Sequence, residues 1–322
     1  MSKSEPDMRI GTGVRALLAG VTALAMWLLP GSVASADPQC QLQQIESLDL
    51  DTGGDGTITV PVSIENHPAK LMIDTGAAFS VVDESFARSV GLEPRFMGPG
   101  ISMTLGGGIP LTQIVTTRSL RLGRLIGLRF TFIVAPSRVL TPETMGMIGP
   151  DVLSSYDAEI DFAGGKLNIF SQDHCPGHVV YWTQAPYAAV PMKLDDNRHI
   201  TIPVMLDGKP LTAVADTGAA RSFMSFQVAK EIFGLDEKNP ALRSLGVFGI
   251  NNVAAEQLFH YPFQSLTFEG IEIRNPDIAI TKGSDADKDD PQLVIGIGVL
   301  RQLHMYIAYK EQVLYLTPAE AH

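Results

Sequence analysis

The residues best suited to chemistry are two aspartates in identical settings. Asp74-Thr75-Gly76-Ala77 and Asp216-Thr217-Gly218-Ala219 are the same tetrapeptide, 142 positions apart. Two carboxylates held about 3 Å apart cannot both ionise, so they share one proton. The charged member then takes a proton from a water while the protonated member donates to a carbonyl. That combination hydrolyses an amide without metal or covalent intermediate. The neighbouring residues fit the task. Leu71-Met72-Ile73 and Ala213-Val214-Ala215 make both approach strands apolar and desolvate the carboxyls. Gly76 and Gly218 let each loop turn tightly with its N–H toward a carboxylate oxygen. Thr75 and Thr217 carry hydroxyls placed to bond across to the partner loop, with Ala77 and Ala219 completing each loop. Asp74 and Asp216 are therefore the expected catalytic pair.

A third Asp-Thr-Gly, at Asp51, is read as a decoy. It sits in the polar stretch ESLDLDTGGDG with no apolar strand leading into it. Its Asp/Gly pattern also suggests a calcium loop, but the twelfth position is Val62 rather than Glu. A turn before the first strand is the expectation.

The elements that must position the pair are themselves duplicated. ITVPVSIENHPAKLMIDTGAA (58–78) and ITIPVMLDGKPLTAVADTGAA (200–220) coincide at ten of 21 positions. Each reads as a hairpin, turning at Glu65-Asn66 or Asp207-Gly208, whose second strand ends at the aspartate. A short strand and a short helix follow in both, capped by Asp83 or Ser225 and stopped by Gly91 or Gly234. SLRLGRLIGLRFTFIVA then faces SLTFEGIEIRNPDIAI. Ile148-Gly149-Pro150-Asp151-Val152-Leu153 faces Ile295-Gly296-Ile297-Gly298-Val299-Leu300 at a shift of 147. The extra residues fall in an Asp- and Lys-rich loop, 281–291. The expected fold is all-β with minor short helices: a first lobe at 37–172, a linker at 173–189 and a second lobe at 190–322.

With both motifs in view, the chain resembles the retropepsin family, the retroviral aspartic proteases and their bacterial relatives. In that family an apolar-apolar-Gly segment such as Ile148-Gly149 or Ile295-Gly296 packs on the active-site loop. The resemblance covers nearly all of the chain after its leader. It joins retropepsin motifs to the single-chain, two-lobed connectivity of pepsins, and it departs from pepsins where Ala77 and Ala219 replace a hydroxyl residue. It implies an aspartic endopeptidase acting on polypeptides, with a glycine-rich flap over the substrate at Gly106, Gly107 and Gly108. Phe248-Gly249 is a second flap candidate. No cofactor and no metal are implied. The alternative is a non-catalytic peptide-binding protein on the same fold, against which the intact Asp, Thr and Gly of both halves count.

The remaining features bound the setting. Net charge is −11 with no run of Lys and Arg, so a nucleic-acid partner is not expected. No GxSxG motif occurs. Lys3, Arg9 and Arg15 precede an apolar run, Ala16 to Leu29, shorter than the roughly 20 residues of a membrane-spanning helix. Ala34-Ser35-Ala36 then offers a signal-peptidase site. Residues 1–36 are expected to be a signal peptide cleaved after Ala36, leaving a periplasmic or secreted monomer without stable membrane insertion. An uncleaved anchor is the rival reading. Cys40 and Cys175, the two cysteines, are expected to pair in that oxidising compartment. His174 and His178 read as exposed residues of a Pro-Gly turn, and Asp151, Asp157 and Asp161 as structural. Arg221, near the second aspartate, reads equally as a substrate contact or a solvated side chain.

Overall fold

A computed structural model describes residues 8–10 and 41–320, apart from 55, 102, 107, 138, 141–142, 197, 251–252 and 283–290. Almost every regular element is a strand, and the few helices are short.

Each half builds its sheet in the same order. In the first, the hairpin Ile58–Ile64 and His67–Ile73 is followed across the sheet by Gly146–Ile148, Val81–Asp83, Leu125–Ala135 and Gln113–Leu122. In the second, Ile200–Leu206 and Lys209–Ala215 are followed by Leu293–Ile295, Ser222–Ser225, Ile278–Lys282 and Val253–His260. The hairpin turns are forced by positive φ at Glu65 and Asn66 (50° and 67°) and at Asp207 and Gly208 (46° and 73°). That left-handed pair matches the twist of the flanking strands. Alternation does the packing: Ile58, Val60, Ile64, Leu71 and Ile73 are buried on one side of the first hairpin. Ile200, Ile202, Leu206, Leu211 and Ala213 repeat this in the second.

The short helices Glu84–Ser89 and Phe226–Phe233 begin as expected. Asp83 accepts from the Phe86 N–H, Ser225 accepts from the Val228 N–H, and the second helix ends on left-handed Gly234. Met8–Ile10, inside the expected leader, pairs antiparallel with Ile271–Ile273 at the sheet edge. No helix of the described residues is long and apolar enough to cross a membrane.

A third, six-stranded sheet joins the halves. It runs Ala188–Pro191, Val313–Pro318, Leu303–Ala308, Asp157–Asp161, Lys166–Phe170, Gln44–Asp49, so its central pairing crosses from one half to the other. One face of that pairing carries acids from the first half. Asp157 meets His174 Nε2 at 2.6 Å and the Tyr309 N–H at 3.0 Å. Glu159 meets His304 Nε2 at 2.7 Å and accepts from the Tyr181 hydroxyl at 2.6 Å and the Asn168 amide at 2.7 Å. Burial pushes the Asp157 carboxyl up, and His174 opposes the shift. His174 is thus no exposed turn residue: its side chain is 2% exposed. The sequence reading placed it by its Pro-Gly neighbours and missed that the chain folds it onto a buried carboxylate. His178 is exposed, as expected. Cys175 is disulfide-bonded. Its expected partner, Cys40, lies outside the described residues.

Candidate active site

Each aspartate stands where an apolar strand runs into a tight loop. The backbone before it is clamped by the neighbouring parallel strand: the Asp74 N–H donates to the Ile148 carbonyl at 3.0 Å, and the Asp216 N–H to that of Ile295 at 2.9 Å. The Gly after each of those isoleucines lets the active-site loop lie against it. A Cβ on Gly296 would stand 2.5 Å from the Arg221 carbonyl oxygen and 2.6 Å from that of Ala219. On Gly149 it would crowd the Phe79 carbonyl carbon at 3.0 Å.

The two loops are then tied to each other crosswise. Thr75 Oγ1 donates to the Ala215 carbonyl, and Thr217 Oγ1 to the Ile73 carbonyl, both at 2.7 Å. In return each hydroxyl accepts the partner's amide: Thr75 N to Thr217 Oγ1 at 3.1 Å, Thr217 N to Thr75 Oγ1 at 3.0 Å. Both threonines are buried, so water does not compete for these four bonds. This tie sets the carboxyls face to face. A Cβ on Gly76 would fall 2.2 Å from Asp216 Cγ, and one on Gly218 would fall 2.4 Å from Asp74 Cγ. Glycine is required at both because each backbone lies flat against the opposite carboxyl.

The electrostatics are not symmetric. Burial, and then the charge of Asp216 beside it, push the Asp74 carboxyl up to about 8. Burial raises Asp216 as well, but its Oδ1 accepts from the Gly218 N–H at 2.8 Å and the Ala219 N–H at 3.0 Å, and these bonds favour its ionised form. Asp74 Oδ1 accepts from the Gly76 N–H at 2.9 Å. Below about 8 Asp74 keeps its proton, and the Gly218 and Ala219 amides make Asp216 the member of the pair better suited to carry the charge. That pairing of one acid and one base is what water activation needs.

The sequence reading missed a supporting layer. Ser80 Oγ donates to Asp151 at 2.6 Å and accepts the Gly149 N–H at 3.0 Å. Ser222 Oγ accepts the Gly296 N–H at 3.0 Å, with Gly298 where the first half has Asp151. The signal was present, since Ser80 and Ser222 obey the same 142-residue shift as the aspartates. Asp151 is structural, as expected.

Other candidates lie apart. Asp51 is exposed and pairs with Lys70 at 2.6 Å. Gly106 and Gly108 sit at the tip of a hairpin, Met103–Leu105 with Ile109–Leu111, and Gly107 lies outside the described residues. Phe248 and Gly249 fall near the end of the strand Arg243–Ile250, which pairs with Val253–His260. Arg221 is exposed beside the second loop. Among the described residues no group of His, Cys, Asp and Glu is arranged to hold a metal ion.

A family model described as aspartyl protease matches the chain twice, over residues 60–152 and 202–299. No curated protein matches significantly. Among solved structures, the chain is similar to edgp, at 11% identity and a TM-score of 0.50, over 88% of this chain and 96% of that one. It is also similar to basic 7S globulin from soybean, at 10% identity and a TM-score of 0.48, over the same shares. At such identity the first likeness speaks for the fold alone, and both halves take part in it.

Proposed function

The chain belongs to the aspartyl protease family, and from that premise we propose that it is an endopeptidase whose Asp74/Asp216 pair activates water. The observation that carries this reading is the crosswise threonine tie, which holds two buried carboxyls against each other. Asp216 takes a proton from a water as its oxygen attacks the scissile carbonyl carbon. Asp74 gives its proton to the carbonyl oxygen, forming a gem-diol. On collapse, a gem-diol hydroxyl returns its proton to Asp74, the Asp216 carboxyl protonates the amide nitrogen, and the C–N bond breaks. The pair ends as it began. Both lobes lie in one chain, so the site is complete in a monomer. The hairpins at 103–111 and 243–260 serve as flaps over an extended polypeptide, and the protein works after export, its leader removed behind Ala36.

The test is incubation of the exported protein with unfolded casein, from about pH 3 to about pH 8, with and without a statine-type inhibitor. Internal cleavage abolished by the inhibitor is the expected result. Tight casein binding without cleavage anywhere in that range would replace the endopeptidase with a peptide-binding protein.

A further inference from the structure

In a chain of net charge −11, the stretch between Glu93 and Glu143 holds no acidic residue and six arginines. Four of them, Arg118, Arg121, Arg124 and Arg129, fall on one hairpin of the first lobe, Gln113–Leu122 with Leu125–Ala135. The hairpin's inner face is ordinary core: Leu120, Leu122 and Phe132 are buried. Its outer face is not ordinary surface. Arg121 stands directly opposite Ile126, and Ser119 opposite Leu128. Ile126 is 50% exposed and Leu128 72%. Arg124, at the turn, and Arg118 hold the buried carboxylates of Glu46 and Glu65, yet their own side chains are 77% and 91% exposed. Arg121 and Arg129 make no ion pair among the described residues.

The repeat shows that the fold does not require this surface. The corresponding second-lobe hairpin, Ser265–Phe268 with Ile271–Arg274, carries Thr267 and Glu272 where the first has Arg121 and Ile126. Basic charge around two bare aliphatic side chains belongs to one lobe only.

We infer that this hairpin tip is a docking surface for an anionic lipid bilayer. Guanidinium groups bind phosphate through several donors at once, and their attraction to an anionic leaflet adds up residue by residue. Ile126 and Leu128 are placed to enter the boundary between headgroups and acyl chains while the arginines stay at phosphate level. The aliphatic character of the tip favours lipid over nucleic acid, whose bases are gripped by aromatic stacking. The acidic remainder of the molecule is repelled by the same surface, so the tip alone faces it. The contact is peripheral, sensitive to salt and separate from the leader.

The experiment is co-sedimentation of the exported protein with vesicles of phosphatidylglycerol and phosphatidylcholine, and with phosphatidylcholine alone. Binding is expected only where phosphatidylglycerol is present, and is expected to weaken as salt rises. Arg121→Glu and Ile126→Ser should each lower partitioning by about five-fold or more, with thermal stability and casein cleavage unchanged. Three results would overturn the inference: no binding, equal binding to phosphatidylcholine, or binding indifferent to both substitutions. Dependence on Arg121 without dependence on Ile126, matched by equal affinity for heparin, assigns the surface to a soluble polyanion and overturns it too.

Discussion

The two lobes share one strand order, yet they differ sharply in the sheet that joins them. In the active-site loops, DTGAAFS and DTGAARS, six of seven residues coincide: Thr75 mirrors Thr217, Gly76 mirrors Gly218, Ser80 mirrors Ser222. In the joining sheet it is not. At the 147-residue shift, Asp157, Glu159 and Asp161 correspond to His304, Tyr306 and Ala308. The structure pairs these segments antiparallel, with Asp161 opposite His304 and Glu159 opposite Tyr306. Two first lobes docked in the same register would set Glu159 against its own copy and Asp161 against Asp157. Like charges directly opposite are destabilising, and buried ones more so. Symmetry is preserved where each loop holds the other through the same pair of hydrogen bonds. It is broken where each half must recognise the other rather than itself.

The strongest way to break the comparison is at the dyad. Asp74→Asn and Asp216→Asn should each lower casein cleavage by about 10³-fold or more, with the circular dichroism spectrum unchanged. An acid and a base cannot cover for one another, so the losses should be alike despite the different environments. Retention of a tenth of the activity by either variant would show that one lobe does the chemistry alone.

Next comes the tie. Thr75→Val removes a donor to the Ala215 carbonyl and strands the Thr217 N–H, and Thr217→Val does the mirror image. Each should cost about 2–4 kcal/mol in urea unfolding, because buried partners are left unmade. The double variant should cost less than the two together, since they share one network. Full additivity would mean that the two threonines act separately.

The pH dependence sharpens the asymmetry. Burial and then the Asp216 charge raise Asp74 to about 8, so the alkaline limb of casein cleavage is expected there. The acid limb lies where Asp216 takes a second proton, above the ordinary carboxylate range because burial raises it. The profile is a bell whose limbs belong to the pair. Its optimum is expected at the upper end of the range of about 4.5–6.5 that follows from desolvation and the missing hydroxyls at Ala77 and Ala219. An optimum below about pH 4 would contradict it. Stability carries the same sign. Both folded values lie above the unfolded 3.8, so the dyad's contribution is full below that pH and is lost as pH rises toward about 8. Asp74→Asn should therefore gain stability relative to the wild type across that interval.

A smaller difference separates the serines. Ser80→Ala gives up a bond to Asp151 as well as one to the Gly149 N–H, whereas Ser222→Ala gives up its bond to Gly296 alone. The first should cost about 2 kcal/mol and the second about 1 kcal/mol. The reverse order in thermal unfolding would show that Asp151 does not anchor its loop.

Much of this was legible because duplication writes the fold twice. Ten shared positions located both hairpins, both aspartates and the strand–loop junctions that carry them. The threonine tie was readable from residue type, since a buried hydroxyl must find a partner. What escaped had no local pattern. His174 looked solvent-exposed from its neighbours, and only the return of the linker under the joining sheet brings it to Asp157. The arginine hairpin escaped because its charges alternate with apolar residues; they gather only when the strand puts one side out.

The smallest expected effect is at the third Asp-Thr-Gly, and it tests what the other two owe to their surroundings. Asp51 has the same two residues after it as Asp74 and Asp216. Its strand, Asp51–Thr52, is two residues long and exposed, and among the described residues pairs only with the edge of Ile58–Ile64. Among the described residues no second Asp-Thr-Gly loop faces it, its side chain is 59% exposed, and its partner is Lys70 at 2.6 Å, itself 53% exposed. Solvent screens such a pair, so removing it does little. Asp51→Asn should leave casein cleavage and melting temperature within experimental error of the wild type. Loss of cleavage with the fold intact would mean that chemistry follows the tripeptide and not its burial. Asp74 and Asp216 would then owe nothing to the apolar strand, the tied loop and the facing carboxyl that Asp51 lacks.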